Sequence, residues 1–262
     1  MLIDTHCHLD DYNEEELKIV LEHMENHVMI VSGVNDATNQ RVFELCHKYD
    51  NIYGTVGIHP EEVDSMQTDS FLQMEKMLQD DKIVAVGEIG LDYHYTKENM
   101  EKQKEVFIKQ IELAHKYQKA VVIHSRDAIQ DTYDILCKYK DSNIPFVLHA
   151  YSGSVEMAKQ FIDLGVVLGI GGVLTFKNAE KLKEVVATYS LSHFVLETDS
   201  PYLTPEPYRG TKNEPYHTLL VAEKIAEIKK VLVEQVIEET SRNAIQTFSL
   251  PIDLQSIEER KM

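Results

Sequence analysis

Near the start of the chain, Asp4-Thr5-His6-Cys7-His8 sets two imidazoles one residue apart. Further groups of the same chemistry follow at wide intervals. Glu88 lies in "VGEIGLDY", His124 in "VVIHSRD", His149 in "FVLHAYSG" and Asp199 in "ETDSPYL", while His59 follows an apolar run in "VGIHP". Imidazole nitrogens and carboxylate oxygens bind divalent cations and move protons near neutral pH. A lone His-x-His is a weak signal. The pair joined by Glu, His, His and Asp, each at the end of its own apolar run, is a strong one. The rival reading makes these groups hydrogen-bonded core residues, and then every one of them needs a partner inside an apolar interior.

The elements that must position these groups are short β-branched runs alternating with amphipathic stretches. Strands are predicted over 2–6, 28–34, 52–58, 83–89, 120–124, 145–149, 166–170 and 194–198. The clearest helix is predicted over 99–118, where Val106, Phe107, Gln110, Ile111, Ala114 and Tyr117 share one face. Helix starts are read at 36–39 and 152–154. Eight strand–helix units in a chain of this length is the count of an α/β (β/α)8 TIM barrel, a single domain over 1–262. An additional C-terminal helix is predicted over 231–248, outside the barrel or across its bottom. An open doubly wound sheet also alternates strands and helices. No Gly-x-Gly-x-x-Gly follows the first strand, however, and no linker or composition shift marks a second domain.

In a barrel the C-terminal ends of the strands surround an open mouth, so all these polar groups would converge there. Strand alternation puts Asp4, His6 and His8 on one face, a geometry suited to clasping a metal ion, and turns Cys7 into the helix layer as a packing residue. His23, His27, His47, His94, His115, His193 and His217 fall in helix-like or loop positions and read as surface residues. His94 and His217 are the two whose loops could reach the mouth.

Composition bounds the function. Of 262 residues, 43% are hydrophobic and 27% charged, as in an ordinary globular chain, and no apolar run has the ~18 residues of a membrane span. The N-terminal Met-Leu-Ile-Asp lacks the regions of a signal peptide, and three cysteines without a CxxC suit a reducing cytosol. A cytoplasmic enzyme with no membrane partner is expected. The net charge of −18 argues against a passive nucleic-acid wrapper, although cations held in an acidic cleft reverse the local field.

The motifs "LIDTHCHL", "VGIHP", "GEIGLDY", "VIHSRDA", "LHAYSG", "ETDSPYL" and "YRGTKNEP", in that order and across essentially the whole chain, resemble the TatD family of metal-dependent deoxyribonucleases. The resemblance implies that His6, His8 and Asp199 hold one metal and that Glu88 bridges to a second held by His124 and His149. It implies hydrolysis of DNA, single-stranded or frayed, from the 3′ end, by a water that two divalent ions activate. Asp199 would be both ligand and base. The owner of the leaving-group proton stays open between a water and His59. Arg126 and Arg209 are candidate phosphate contacts, and Asp4 and Glu197 are candidate partners that orient the imidazoles. Ligand softness suits Zn, Mn, Fe or Ni, while the family is often described as using Mg. Glu61-Glu62 after "VGIHP" departs from some members and disfavours a long polyanion on that side.

DNA is thus the expected substrate, bound without sequence-specific contacts because no aromatic–basic ladder is present. The sequence gives no oligomeric state. Two alternatives carry over. The same metal centre would serve a hydrolase of a small amide, lactone or phosphoester, and a metal-bearing barrel could act as a non-catalytic platform.

Overall fold

A computed structural model describes residues 1–253. Residues 254–262, the end of the unit expected over 1–262, lie outside the described residues. Eight parallel strands follow one another in chain order: β1 (Ile3–Cys7), β2 (Val28–Ser32), β3 (Ile52–Val56), β4 (Ile83–Asp92), β5 (Ala120–Arg126), β6 (Phe146–Leu148), β7 (Val167–Ile170) and β8 (Phe194–Leu196). Each is followed by one of the helices α1 (Glu14–His23), α2 (Asp36–Lys48), α3 (Ser70–Met77), α4 (Met100–Tyr117), α5 (Ile129–Leu136), α6 (Val155–Asp163), α7 (Glu180–Thr188) and α8 (Thr218–Lys229). This is the nearly closed (β/α)8 barrel that the alternation predicts.

The seam between β1 and β8 is held largely by the residues just past β8. Cys7 pairs with Ser200, the His8 N–H donates to Ser200 O at 2.7 Å, and the Asp199 N–H donates to His6 O at 2.9 Å. Lower down, Thr5 Oγ1 donates to Leu196 O at 2.9 Å. Asp4 accepts the Thr198 N–H at 3.0 Å and the Thr198 hydroxyl at 2.5 Å.

Two apolar layers surround the strands. One joins them to the helices and includes Cys7, Ile89, Phe107, Ile111 and Phe161. The other fills the barrel interior below the site with Ile3, Val28, Ile30, Val84, Val122, Val147 and Val195. Ala244, Ile245 and Phe248 join this inner layer. The first two come from α9 (Val233–Thr247), the additional C-terminal helix, which therefore crosses the barrel bottom.

The α4 helix shows how local sequence sets these elements. Asn99 stands at its N-cap, Gln118 ends it in the left-handed region at φ 51°, and Val106, Phe107, Ile111 and Ala114 are buried. Strand β4 runs three residues past its predicted end because Gly90, at φ +142°, lets the backbone pass His124 O. A Cβ there would lie 2.0 Å from that carbonyl. Pairing with β5 then continues through Gly90–His124, Leu91–Ser125 and Asp92–Arg126. Among the described residues no helix is long and apolar enough to cross a membrane.

Candidate metal centre

The strand ends deliver their polar groups to one place. Glu88, 4% exposed, stands at the centre with its two oxygens facing different neighbours. Its Oε2 lies 3.3 Å from His6 Nε2 and 3.6 Å from His8 Nε2. Asp199 Oδ1 lies 3.7 Å from His6 Nε2 and 3.4 Å from His8 Nε2, and the two imidazole nitrogens are 3.2 Å apart. Glu88 Oε1 lies 2.9 Å from both His124 Nδ1 and His149 Nε2, which are 3.3 Å from each other. His59 Nε2 approaches the same oxygen at 3.6 Å.

These spacings test whether the donors fit a cation. Four donors arranged tetrahedrally at ~2.0–2.2 Å from an ion are about 3.3–3.6 Å apart. The His6, His8, Glu88 and Asp199 atoms are 3.2–3.7 Å apart over the five pairs just given. Donors at right angles around an ion are about 3.0 Å apart, close to the spacing of Glu88 Oε1, His124 and His149. Imidazole and carboxylate are also the donor types that a borderline divalent ion takes. The residues fit.

The electrostatics agree. Burial works against the Glu88 carboxylate, yet the His149, His6 and His59 imidazoles hold it well below the ordinary glutamate range. Burial also opposes ionisation of Asp199, and the His8 hydrogen bond with the His149 and His6 charges brings it below its usual value. His8 is pushed up to about 9: burial would lower it, but its hydrogen bond to Asp199 and the Glu88 charge prevail. His149 is raised well above the ordinary value, against its burial, by Glu88 and Glu197. His6 is lowered by burial and by His149.

The groups behind the donors differ in part from expectation. His6 Nδ1 contacts Ser32 Oγ at 3.1 Å and His8 Nδ1 contacts Ser32 O at 3.1 Å, so β2 orients both rings. Asp92 Oδ2 accepts from His124 Nε2 at 2.9 Å. Sequence reasoning missed both. Asp92 shares the parity of Glu88, a usable signal, but the predicted strand stopped before it.

Glu197 lies behind His149, at 3.6 Å from Nδ1, and accepts the Ala150 N–H at 2.6 Å. The 3.6 Å contact is too long for a hydrogen bond, and His149 Nδ1 and Glu197 Oε2 have no hydrogen-bond partner among the described residues.

Asp4 departs from expectation. It faces Thr198 and the His6 N–H, not an imidazole. The β1–β2 register shifts between Asp4 and Cys7, so strict alternation fails there. Cys7 is fully buried in the strand–helix layer, away from the donors.

The centre forms the floor of a cavity of about 760 Å³ whose wall includes His59, Arg126, Glu61, Glu62 and Tyr202. Burial lowers His59 to about 4, so its ring is neutral at pH 7 and a poor store for a leaving-group proton. Arg209 does not line this cavity. Its guanidinium lies over the Phe176 ring at 4.1 Å. His94 contacts Asp127 at 3.0 Å and His217 stacks on Tyr208, and neither is in the wall.

The loop after Asp199 is pinned by Asn213, whose side chain donates to Thr198 O at 3.0 Å and Tyr202 O at 2.7 Å. Tyr12 OH donates to Asn213 O. That internal bracing gives the "YRGTKNEP" stretch a structural task, apart from any contact with substrate.

Comparison with known proteins adds the family. The TatD related DNase family matches residues 3–249. The chain is 37% identical to the "Uncharacterized metal-dependent hydrolase YabD" of Bacillus subtilis (strain 168), over 95% of this chain and 100% of that protein. It is 34% identical to the "Uncharacterized metal-dependent hydrolase YcfH" of Escherichia coli (strain K12), over 98% and 99% of the two chains. The crystal structure of YJJV, a TatD homologue from Escherichia coli K12, superposes with a TM-score of 0.89 at 28% identity, covering 95% of this chain and 98% of that one.

Proposed function

The chain belongs to the TatD related DNase family of metal-dependent hydrolases, and we propose that it is a phosphodiesterase that trims single-stranded or frayed DNA from the 3′ end. The observation that carries this is the convergence of His6, His8, Glu88, His124, His149 and Asp199, all but the buried His6 lining a cavity whose wall also holds Arg126.

We assign two divalent ions to the cluster, one to the His6–His8–Asp199 side and one to the His124–His149 side, with Glu88 shared. When bound, such ions supply an activated water and polarise a phosphodiester oxygen. The protein's own groups do the rest. Asp199, ionised at neutral pH, would be the group that accepts the water's proton. Ser32 and Asp92 fix which nitrogen of His6, His8 and His124 faces the floor. Arg126 offers a guanidinium to a phosphate of the bound strand. His59, neutral at pH 7, shapes the wall beside Glu88 without storing the leaving-group proton.

A second reading, hydrolysis of a smaller phosphoester, lactone or amide, draws support from the acidic wall, which opposes a long polyanion. A panel of bis(4-nitrophenyl) phosphate, a simple lactone and an anilide, assayed with the Mn-loaded protein, separates phosphodiester hydrolysis from lactone and amide hydrolysis. The phosphodiester should be turned over fastest of the three. A lactone or anilide turned over faster than the diester would refute the proposal.

A further inference from the structure

The cavity wall has two poles. In the closed order of eight strands, β4 stands opposite β8 and β1 opposite β5. Tyr95, 69% exposed, follows β4, and Tyr202, 54% exposed, follows β8, so two open aromatic residues stand on opposite sides of the mouth. Their companions differ in charge. The Arg126 guanidinium, at the end of β5, lies 5.1 Å over the Tyr95 ring and donates to its hydroxyl at 3.3 Å. Across the mouth, the Tyr202 hydroxyl donates to Asp11 Oδ2 at 2.5 Å, with Asp10 alongside. The Tyr202 ring is 6.2 Å from that of His8, so this acidic pole adjoins the donor cluster. Arg126 is the one arginine or lysine among the described residues lining the cavity, against seven carboxylates.

We infer that this asymmetry orients the substrate. The internal phosphate of a bound strand sits at Arg126 with its base on Tyr95, and the terminal nucleoside sits at Tyr202, where Asp10 and Asp11 accept from its sugar hydroxyl and repel a terminal phosphate. The inference rests on the phosphodiesterase reading of the same site. Tyrosine faces accept any base, which suits a site with no sequence preference. A guanidinium matches a phosphate bidentately, whereas a phosphate beside Asp10 and Asp11, which are not among the metal donors, meets like charge. A sugar hydroxyl, by contrast, is a donor that a carboxylate can accept. The site therefore selects strand ends by their lack of a terminal phosphate.

The test compares kcat/KM of the Mn-loaded protein on an eight-residue thymidine oligonucleotide ending in 3′-hydroxyl or 3′-phosphate. Thymidine 5′-(4-nitrophenyl phosphate), which carries a single phosphate, serves as a third substrate. The hydroxyl end should be favoured by about tenfold or more, as expected for like charges near a partly exposed surface. Asp10→Asn with Asp11→Asn should bring the two ends to within about threefold, and Arg126→Ala should lower the oligonucleotide rate by about 10–100-fold while sparing the one-phosphate ester. Equal rates on both ends, a preference that the Asp variants leave intact, or equal loss on all substrates in Arg126→Ala would overturn the inference while leaving the phosphodiesterase in place. No cleavage of any of the three substrates would sink both.

Discussion

Replacing Asp92 with Asn probes the metal centre without touching a donor. Asp92 is 2% exposed and serves two N–H donors at once: Oδ1 accepts from the His94 backbone at 2.8 Å and Oδ2 from His124 Nε2 at 2.9 Å. Burial raises its pKa, but the His124 bond and the His94 N–H more than offset this and leave it below the usual aspartate range. An asparagine has one oxygen and one NH2, so it can meet only one of the two donors.

If the oxygen stays with His94, the NH2 faces His124 Nε2. The ring proton then moves to Nδ1, the nitrogen that lies 2.9 Å from Glu88 and should face the ion. If the oxygen turns to His124, the His94 N–H loses its partner. A charge-assisted hydrogen bond of about 1.5–3 kcal/mol is lost in the first case, so metal affinity should fall by about 10–100-fold. Competition with a fluorescent chelator measures the Mn or Zn affinity, and circular dichroism checks the fold. Activity should return to within about threefold of wild type at saturating metal, because the donors remain. An affinity within about twofold of wild type would refute this account of His124, as would an activity loss that excess metal cannot restore in a folded protein.

Other consequences follow from the same contacts. His8, raised to about 9, holds a proton in the metal-free protein at pH 7, and His124 and His149 are raised as well by their carboxylate neighbours. Metal binding needs neutral imidazoles, so calorimetry at pH 7 in buffers of different ionisation enthalpy should show at least about one proton released, with affinity climbing toward pH 9; zero release would contradict this. The metal-free fold has the opposite trend: the His8 contribution is complete below about 6.5 and is lost as pH rises through about 9, which chelated protein in pH-dependent urea titrations should show. Gly169→Ala would place a Cβ 2.1 Å from Glu197 Oε2 and 3.0 Å from the His149 backbone. A loss of about 1–3 kcal/mol is expected, read as a lower melting temperature, and an unchanged melt would mean that the β7–β8 contact is looser than described. Asp4→Ala strips the acceptor from three buried donors and should cost about 3–5 kcal/mol, whereas Asp4→Asn should cost about 1 kcal/mol. Burial lifts the Asp4 pKa well above 3.8, so wild-type stability should fall as pH rises from 3.8 through that raised value, a slope that Asp4→Asn should remove in urea titrations.

The barrel was legible because alternating apolar runs and amphipathic helices need no long-range information. The donor positions were legible for a related reason: His6, His8, Glu88, His124, His149 and Asp199 all lie in the C-terminal half of a strand or just past its end, and the topology alone gathers strand ends. What lay beyond reach depended on local irregularity. The register shift in β1 turned Asp4 toward Thr198, and the Gly90 crossing carried β4 on to Asp92. Neither follows from a period of two. Ser32 was hidden because one serine at the end of β2 looks like any strand terminus. The place of Arg209 does not follow from the sequence, which gives a loop's residues but not its path, and here the path lays the guanidinium on Phe176.

The most direct test of the central claim is cleavage of a 5′-labelled single-stranded oligonucleotide by metal-stripped protein resupplied with Mg, Mn or Zn, with Glu88→Ala alongside. The account predicts a ladder that shortens from the 3′ end only when metal is returned, and none with Glu88→Ala. An oligonucleotide left intact by protein shown to hold metal, or equal cleavage by Glu88→Ala, would contradict it.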